Sequence, residues 1–517
     1  MLDGKKHRWS QMGIGGYHEW VQDNWTSRGE RLDFDEHKYL VQIYRDQHPH
    51  IEFMKSAQTG ATERMLTEAV YLPDQFNVNS IYFFPTSGTI SDLVQERIDD
   101  PINNSSHLRG VLRNSKGILG KTADKVGLKR LSKGFVYFRG ANQTTQITSV
   151  AGDIMFIDEL DRMPQENVPY FTKRLEHSSW KWERWASTPT IPNFGIHKSF
   201  ILTDQHHYHV KCTHCNEWQE LDFFENVEYT MKTELQCENA QLVCKKCRRE
   251  IVPWLCESEW VPKSPHHDKR GYFVSKLYSP RTDFKKVVEA SKKASESEIQ
   301  QFYNQDLGLP YEPKGGRITE EILQSCRRSY ELKPTGKPTF MGIDVGRVLH
   351  VVIQDIERVL YIGTVKDFEQ LDELMNTFDI KKAVVDAMPE TRKSQEFADK
   401  YPGRVLICYY SGVTQPKEGE WFKVDGQKVN TDRTLSLDMW TARFKNQSVY
   451  LPQNLDFYTE FKEQMKSLIR VVSEDRNGNP KAEYIQTSAD HYYHSGNYSN
   501  IAKSIFESTS EPEIFVL

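Results

Sequence analysis

Four of the chain's cysteines fall in two close pairs, Cys212-Thr213-His214-Cys215 and Cys244-Lys245-Lys246-Cys247. Four thiolates at such spacing suit a tetrahedral Zn²⁺, and a filled four-thiolate shell leaves no open position for chemistry, so the predicted role is structural or DNA-contacting. His206, His207 and His209 are alternative donors, while Cys237, Cys256, Cys326 and Cys408 read as ordinary cysteines. A second constellation is Lys55-Ser56-Ala57-Gln58-Thr59-Gly60-Ala61-Thr62, set between an apolar run at 51–54 and a helical stretch at 63–72. Strand, tight loop and helix in that order make a phosphate cradle, which needs a glycine where backbone approaches phosphate, N–H groups at a helix start and a hydroxyl for Mg²⁺. Gly60 and Thr62 meet two of these needs; Ala61 stands where the usual lysine would be, and Lys55 stands at the place of the loop's first glycine.

Downstream, the apolar run 154–157 ends in Asp158 and Glu159. Asp158 is expected to hold Mg²⁺ through water and Glu159 to polarise an attacking water, the two tasks that cleavage of a phosphoanhydride requires; the alternative is a strand ending in a solvated acidic turn. On the next strand, Trp185-Ala186-Ser187-Thr188-Pro189-Thr190 has the form that senses the γ-phosphate in helicase-like motors, with Thr188 as the contact. Further along, Asp344 lies inside the apolar run 340–346 and Asp386 ends the run 383–386. A carboxylate within an apolar strand is costly unless it binds metal or is otherwise paired. Asp490 and His494, four apart, would share one helical face.

These motifs need elements to hold them. Between 51 and 202, short apolar runs at 51–54, 80–84, 135–138, 154–157 and 182–186 alternate with amphipathic stretches at 62–71 and 91–98, an α/β pattern. The stretch 206–260 is rich in Cys, His, Lys and Glu and short of helical periods, as expected of a small module held by metal. A helix end and linker at 302–316 precede a second α/β unit with strand candidates at 339–345, 350–355, 359–365, 382–385 and 405–409 and helical spacing at 390–400, 432–444 and 457–469. The expected division is an N-terminal segment 1–30, a P-loop ATPase domain 31–205, a zinc-binding insertion 206–260, a connector or lid 261–330, a second α/β domain 331–510 and a tail 511–517.

The composition is 38% hydrophobic and 27% charged, that of a folded soluble chain. No apolar run approaches a membrane span, and the N-terminus lacks the apolar segment of a secretory signal, so the cytoplasm is the expected compartment. The net charge of −5 excludes a wholly basic nucleic-acid binder, yet one local track carries Arg109, Arg113, Lys116, Lys121, Lys125, Lys129, Arg130 and Lys133 against the single acid Asp124. It is either a phosphate-contacting surface or a solvated face.

Taken together, the loop at Lys55, the Phe156-Ile157-Asp158-Glu159-Leu160-Asp161-Arg162 segment and Ala186-Ser187-Thr188-Pro189-Thr190 resemble the large terminase subunits of tailed phages, in particular the lambda-type family. The likeness continues through 271–280 and 302–310. The resemblance implies a helicase-like P-loop ATPase followed by an RNase H-like nuclease. In it Lys55 takes over phosphate neutralisation, and Tyr39 or Gln42 contacts adenine. RNase H-like nucleases hold two divalent ions between carboxylates on neighbouring strands and one on a C-terminal helix; Asp344, Asp386 and Asp490 match that order. The implied cofactors are ATP, Mg²⁺ or Mn²⁺ at both sites and structural Zn²⁺; the implied partners are double-stranded DNA, a small terminase subunit and the portal ring of the procapsid, where the chain would act as an oligomer in the infected cell. Two other readings fit the same residues: a helicase-like DNA-repair ATPase with an RNase H-like domain, and a zinc-bearing DNA-binding scaffold whose catalytic sites have degenerated.

Overall fold

The structure is a computed structural model, which describes residues 16–509 apart from 28, 33, 87–89, 91–92, 115–123, 412–420 and 475–479. It comprises two compact units, Met1–Glu312 and Pro313–Leu517.

In the first unit, short apolar runs with polar ends become parallel strands, because such strands are covered on both faces and need no polar alternation. They are β1 (His50–Lys55), β2 (Ser80–Phe84), β3 (Phe135–Gly140), β4 (Ile154–Asp158) and β5 (Trp182–Ser187). Every residue of β2 and β4 is buried. The order β1-β5-β4-β2-β3 is parallel throughout. Beyond β3 the sheet is extended by Leu128–Arg130 and Asp124–Lys125.

On the other side the chain adds β6 (His206–Lys211), β7 (Trp218–Glu220), β8 (Glu257–Pro262) and β9 (Arg270–Val274). Strand β9 lies between β1 and β6, parallel to both, while β7 and β8 pair antiparallel with β6. The cysteine-bearing stretch therefore grows directly out of the sheet. Helix α1 (Ala61–Gln75) covers one face. Its buried Glu68 is clasped by Arg64 of the same helix and by Arg184 of β5, whose Nε and Nη2 donate at 2.7 and 3.0 Å. Each buried charge is thus paired, which fastens the helix after the loop to the strand that leads to Ser187.

The second unit is built on β10 (Thr339–Val345), β11 (Leu349–Gln354), β12 (Val359–Val365), β13 (Ile380–Asp386), β14 (Val405–Tyr409), β15 (Phe422–Asp425) and β16 (Lys428–Thr431). In the order β12-β11-β10-β13-β14-β16-β15, β10 to β12 form an antiparallel meander and β13, β14 and β16 continue parallel to β10. Antiparallel strands followed by parallel ones give the RNase H-like sheet. Among the helices of this unit are α2 (Arg433–Lys445) and α3 (His491–Thr509). Helix α3 lies directly on β10: a Cβ on Gly342 would come within 1.9 Å of the Ser495 carbonyl oxygen and 2.2 Å of the Ser499 nitrogen. Only a residue without a side chain lets the two backbones approach this closely.

One expected helix is shorter than its pattern. The spacing at 457–469 predicts a continuous helix, whereas the helix runs Thr459–Met465 and Leu468–Glu474 forms a hairpin with Pro480–Gln486. Leu468, Ile469 and Val471 are buried in strand geometry, and Phe457 is 85% exposed. A β-branched run with a pairing partner wins over helical spacing here.

Candidate active sites and metal centres

The carboxyl ends of β1, β4 and β5 meet in register, Met54 opposite Ser187 and Asp158 opposite Ala186. This is the edge at which parallel α/β sheets bind ligands. The chain leaves β1 at Lys55, passes through Gln58 and Gly60, both with positive φ (59° and 83°), and enters α1 at Ala61. Gly60 fits because its backbone is left-handed and an added Cβ would meet Leu40 at 3.0 Å. Ser56, Thr59 and Ala61 are buried in the wall of the loop. Tyr39, also buried, donates its hydroxyl to the Thr59 carbonyl at 3.1 Å and so supports the loop from behind, whereas Gln42, on the same helix Lys38–Arg45, is exposed.

The sequence motifs converge on this loop. Thr62 Oγ1 donates to Asp158 Oδ1 at 3.3 Å, and the Tyr82 hydroxyl donates to Asp158 Oδ2 at 2.9 Å. Lys55 Nζ lies 3.4 Å from Glu159 Oε1, and Arg162 Nε lies 3.6 Å from Glu159 Oε2. Burial pushes the Asp158 carboxyl up; Lys55 opposes the shift and the charge of Glu159 adds to it. Burial acts on Glu159 in the same sense, but Lys55 and then Arg162 outweigh it and hold that carboxyl below its ordinary value. A buried carboxylate beside a hydroxyl fits a Mg²⁺ partner, while an ionised carboxylate fits a group that orients water. Glu159 sits at a φ of 60°, which turns it out of the strand toward Lys55.

Asp161 has a role that motif matching does not disclose. Its Oδ2 accepts the Thr190 N–H at 2.8 Å, its Oδ1 accepts the Ile196 N–H at 2.7 Å, and its own N–H donates to Ser187 Oγ at 3.1 Å. It ties the turn after Glu159 to the Ser187–Thr190 segment, where Thr188 is buried and its carbonyl accepts the Ser187 hydroxyl at 3.0 Å. Burial pushes the Asp161 carboxyl up to about 7 against these hydrogen bonds. Behind the loop, Gln305 O accepts the Ala57 N–H at 2.9 Å, and Asn304 Nδ2 donates to the Thr190 carbonyl at 2.9 Å. The segment 302–309 thereby links the phosphate loop to the Thr190 turn.

The cysteine pairs close into one cluster. Cys212 and Cys247 sulfurs are 3.7 Å apart, as are those of Cys215 and Cys244, and all four lie within 4.8 Å of one another. Four sulfurs around a tetrahedral zinc with bonds of about 2.3 Å would be separated by about 3.8 Å. The two knuckles are built alike. The N–H groups of Asn216 and Arg248 donate at 2.9 Å to the carbonyls of Cys212 and Cys244, and both residues have left-handed backbones. The nearby histidines are engaged elsewhere: His206 with Asp204, His207 with Glu220, and His209 with the His207 carbonyl.

In the second unit, Asp344 and Asp386 lie on the neighbouring parallel strands β10 and β13, where Ile343 pairs with Val385. Burial raises the Asp386 carboxyl; the Met388 N–H opposes this, and the charge of Asp344 adds to the rise. Asp490 immediately precedes α3, where His494 Nε2 sits 3.3 Å from its Oδ2 and Gln486 donates to its Oδ1 at 2.9 Å. Burial would raise Asp490, but the bond from His494 outweighs it and the net shift is downward. Nearest to Asp344 are two histidines that strand and helix patterns alone did not single out. His491 Nδ1 lies 2.8 Å from Asp344 Oδ2, and His350 is the residue opposite Asp344 across β10 and β11. A histidine inside the apolar Leu349-His350-Val351-Val352 run was the available signal.

Of the basic track, Lys129 is buried and paired with Asp99 at 2.8 Å, so it is withdrawn from any phosphate surface. Lys133 caps the Gln75 carbonyl at 2.6 Å. Residues 115–123, with Lys116 and Lys121, lie outside the described residues.

Comparison with known proteins agrees with this layout. The model of the phage terminase large subunit gpA ATPase domain matches residues 40–254, and that of the terminase large subunit gpA endonuclease domain matches residues 269–347. The terminase large subunit of Escherichia phage lambda is 22% identical over 335 residues, 57% of this chain and 52% of that protein. That of Enterobacteria phage P21 is 25% identical over 218 residues, 40% of this chain and 32% of that protein. The chain thus spans about half the length of the first relative and a third of the second. Among solved structures, the large terminase of a thermophilic bacteriophage aligns over 91% of this chain and 98% of its own, at 13% identity and a TM-score of 0.31. The two domain models, both of one family, between them match more than half of the residues, the first across the phosphate loop and cysteine cluster and the second as far as Asp344, and the chain belongs to the phage terminase large-subunit family of the gpA type.

Proposed function

We propose that this chain is a packaging motor and nuclease: the first unit hydrolyses ATP to drive double-stranded viral DNA into a procapsid, and the second cuts concatemeric DNA with divalent metal ions. The observation that carries the reading is the placing of two acidic centres in two separate units: Asp158 and Glu159 face Thr62 and Lys55 in one, and Asp344 and Asp386 lie on neighbouring strands in the other. In the motor, Ser56, Gln58, Thr59, Gly60, Ala61 and Thr62 wrap the phosphates, Lys55 neutralises them, Asp158 holds Mg²⁺ and Glu159 orients water for attack, while Thr188 senses the γ-phosphate. The turn at Asp161 carries the resulting change to the Thr190 segment. In the nuclease, Asp344, Asp386 and Asp490 hold the metal; bound divalent ions supply an activated water and charge stabilisation for the leaving oxygen. Cys212, Cys215, Cys244 and Cys247 hold a structural Zn²⁺.

In this reading residues 31–205 are the ATPase, 206–260 the zinc insertion, 261–330 the connector and 331–510 the nuclease. The protein works in the cytoplasm of the infected cell, as an oligomer on the portal ring and with a small terminase subunit; among the described residues no helix is long and apolar enough to cross a membrane. Asp344→Ala tests the two-centre reading. Plasmid cleavage in Mn²⁺ should vanish while DNA-free ATP turnover stays within twofold of wild type. Undiminished cleavage would move the nuclease centre elsewhere, and loss of both activities in a folded variant would end the two-centre account.

A further inference from the structure

We infer that His350 and His491 are metal ligands that share Asp344, so that one metal position of the second unit has two imidazoles and one carboxylate. The inference rests on the nuclease reading and goes beyond its three aspartates. Among the described residues, the ligand atoms of Asp344, His350 and His491 lie within 4.8 Å of one another. They come from three elements, β10, β11 and the first turn of α3, so their meeting depends on the antiparallel register and on the close approach at Gly342. The two imidazoles stack with centroids 4.6 Å apart and ring planes at 17°, and His491 Nδ1 is 2.8 Å from Asp344 Oδ2.

A second observation is independent of that cluster's hydrogen bonds. His350 is only 6% exposed, yet among the described residues its Nδ1 has no hydrogen-bond partner, and its other ring nitrogen lies 3.7 Å from Glu460. A buried ring nitrogen without a partner carries an unmet desolvation cost, which coordination would offset. Imidazole is a borderline ligand, whereas Mg²⁺ demands oxygen donors and keeps its waters. The position should therefore select a first-row transition cation, with Mn²⁺ as its representative, over Mg²⁺.

The test uses the full-length chain with zinc retained and Mn²⁺ alone as probe. Calorimetric titration gives the Mn²⁺ affinity, and pulsed electron paramagnetic resonance of the Mn²⁺-loaded protein reads ¹⁴N coupling from a bound imidazole. Wild type should show that coupling and bind Mn²⁺ at least about tenfold more tightly than Mg²⁺. His491→Gln, at a half-exposed position where folding is safe, should weaken Mn²⁺ about tenfold or more and change Mg²⁺ binding by less than about threefold. His350→Gln should do the same, and the double variant should lose the ¹⁴N signal. Unchanged Mn²⁺ affinity and ¹⁴N coupling in His491→Gln would overturn the inference and leave the three-aspartate nuclease intact. Histidine-dependent Mn²⁺ binding in a protein that cuts no DNA with any metal would uphold it and remove the nuclease reading instead.

Discussion

Lys55→Met isolates the least ordinary feature of the motor, a phosphate-neutralising lysine at the front of the loop. Lys55 is nearly buried, with its ammonium 3.4 Å from Glu159. At that separation, with an effective dielectric constant of about 20, the pair is attractive by roughly 5 kcal/mol before desolvation. When ATP arrives the ammonium must turn from the carboxylate to the phosphates, gaining an interaction of similar gross size and giving up the first. Glu159 is about one-third exposed, so water replaces much of what it loses. The net gain should be about half the gross value, or ~2–3 kcal/mol, and Lys55→Met should raise the Kd for ATP roughly 30- to 150-fold. Glu159→Gln should do the opposite. It removes the partner that Lys55 must leave, so ATP should bind as tightly as in wild type or better, while loss of the water-orienting carboxylate lowers turnover by about 10²–10⁴-fold. Fluorescent-nucleotide titration and steady-state phosphate release read the two effects separately. A Lys55→Met protein that binds ATP within twofold of wild type would refute the partner exchange and assign neutralisation to another cation.

The cysteine cluster should hold about one zinc per chain, and Cys244→Ser should abolish it; elemental analysis finding no metal, with all four thiols titrating freely in the folded protein, would rule the site out. Gly342→Ala should destabilise the second unit by about 3 kcal/mol, because the methyl meets the Ser495 carbonyl and Ser499 nitrogen, which are backbone and cannot rotate away. Calorimetry should show the corresponding transition several degrees lower, and an unmoved transition would mean α3 does not rest on β10. Asp161 gives a pH dependence whose sign is fixed: its folded pKa, about 7, is above the ordinary 3.8, so the folded state binds the extra proton between those values and its stability falls as pH rises through that window. In Asp161→Asn this fall should disappear from denaturant unfolding curves measured from pH 4 to 7.5, and an unchanged pH profile would assign the shift to another group.

The parallel strands of the first unit were legible because burial on both faces leaves an unbroken apolar signature; all five candidates in 51–186 form, each with its end moved by no more than two residues. The phosphate loop was legible for a related reason, since Gly60 and Thr62 serve local backbone needs. What the sequence did not show is whatever depends on partners far along the chain. Strand β9 enters the sheet between β1 and β6, although it follows β6 by some 60 residues. Asp161 looks like one acid in a charged turn until its two backbone donors arrive from Thr190 and Ile196.

The acidic centre of the second unit shows the same division within a single strand. Asp344 could be picked out because a lone carboxylate among Phe340, Met341 and Ile343 is anomalous by itself. His350 could not, because a histidine in an apolar run is most often a satisfied core residue, and its meaning comes only from the register that sets it opposite Asp344. A slip of one residue would turn it to the other face of the sheet. His491 depends in turn on how closely α3 can lie on β10, and hence on Gly342, a residue with no chemistry of its own. The same closeness explains why Asp490 and His491 diverge. As neighbours at the helix start they point in different directions, one toward His494 and Gln486 and the other toward Asp344. A pattern of acids in chain order selects Asp490 as the helix-borne ligand; the packing of α3 brings His491 to the strand carboxylate as well, and the metal preference proposed for the site would follow from nitrogen donors added beside the aspartates.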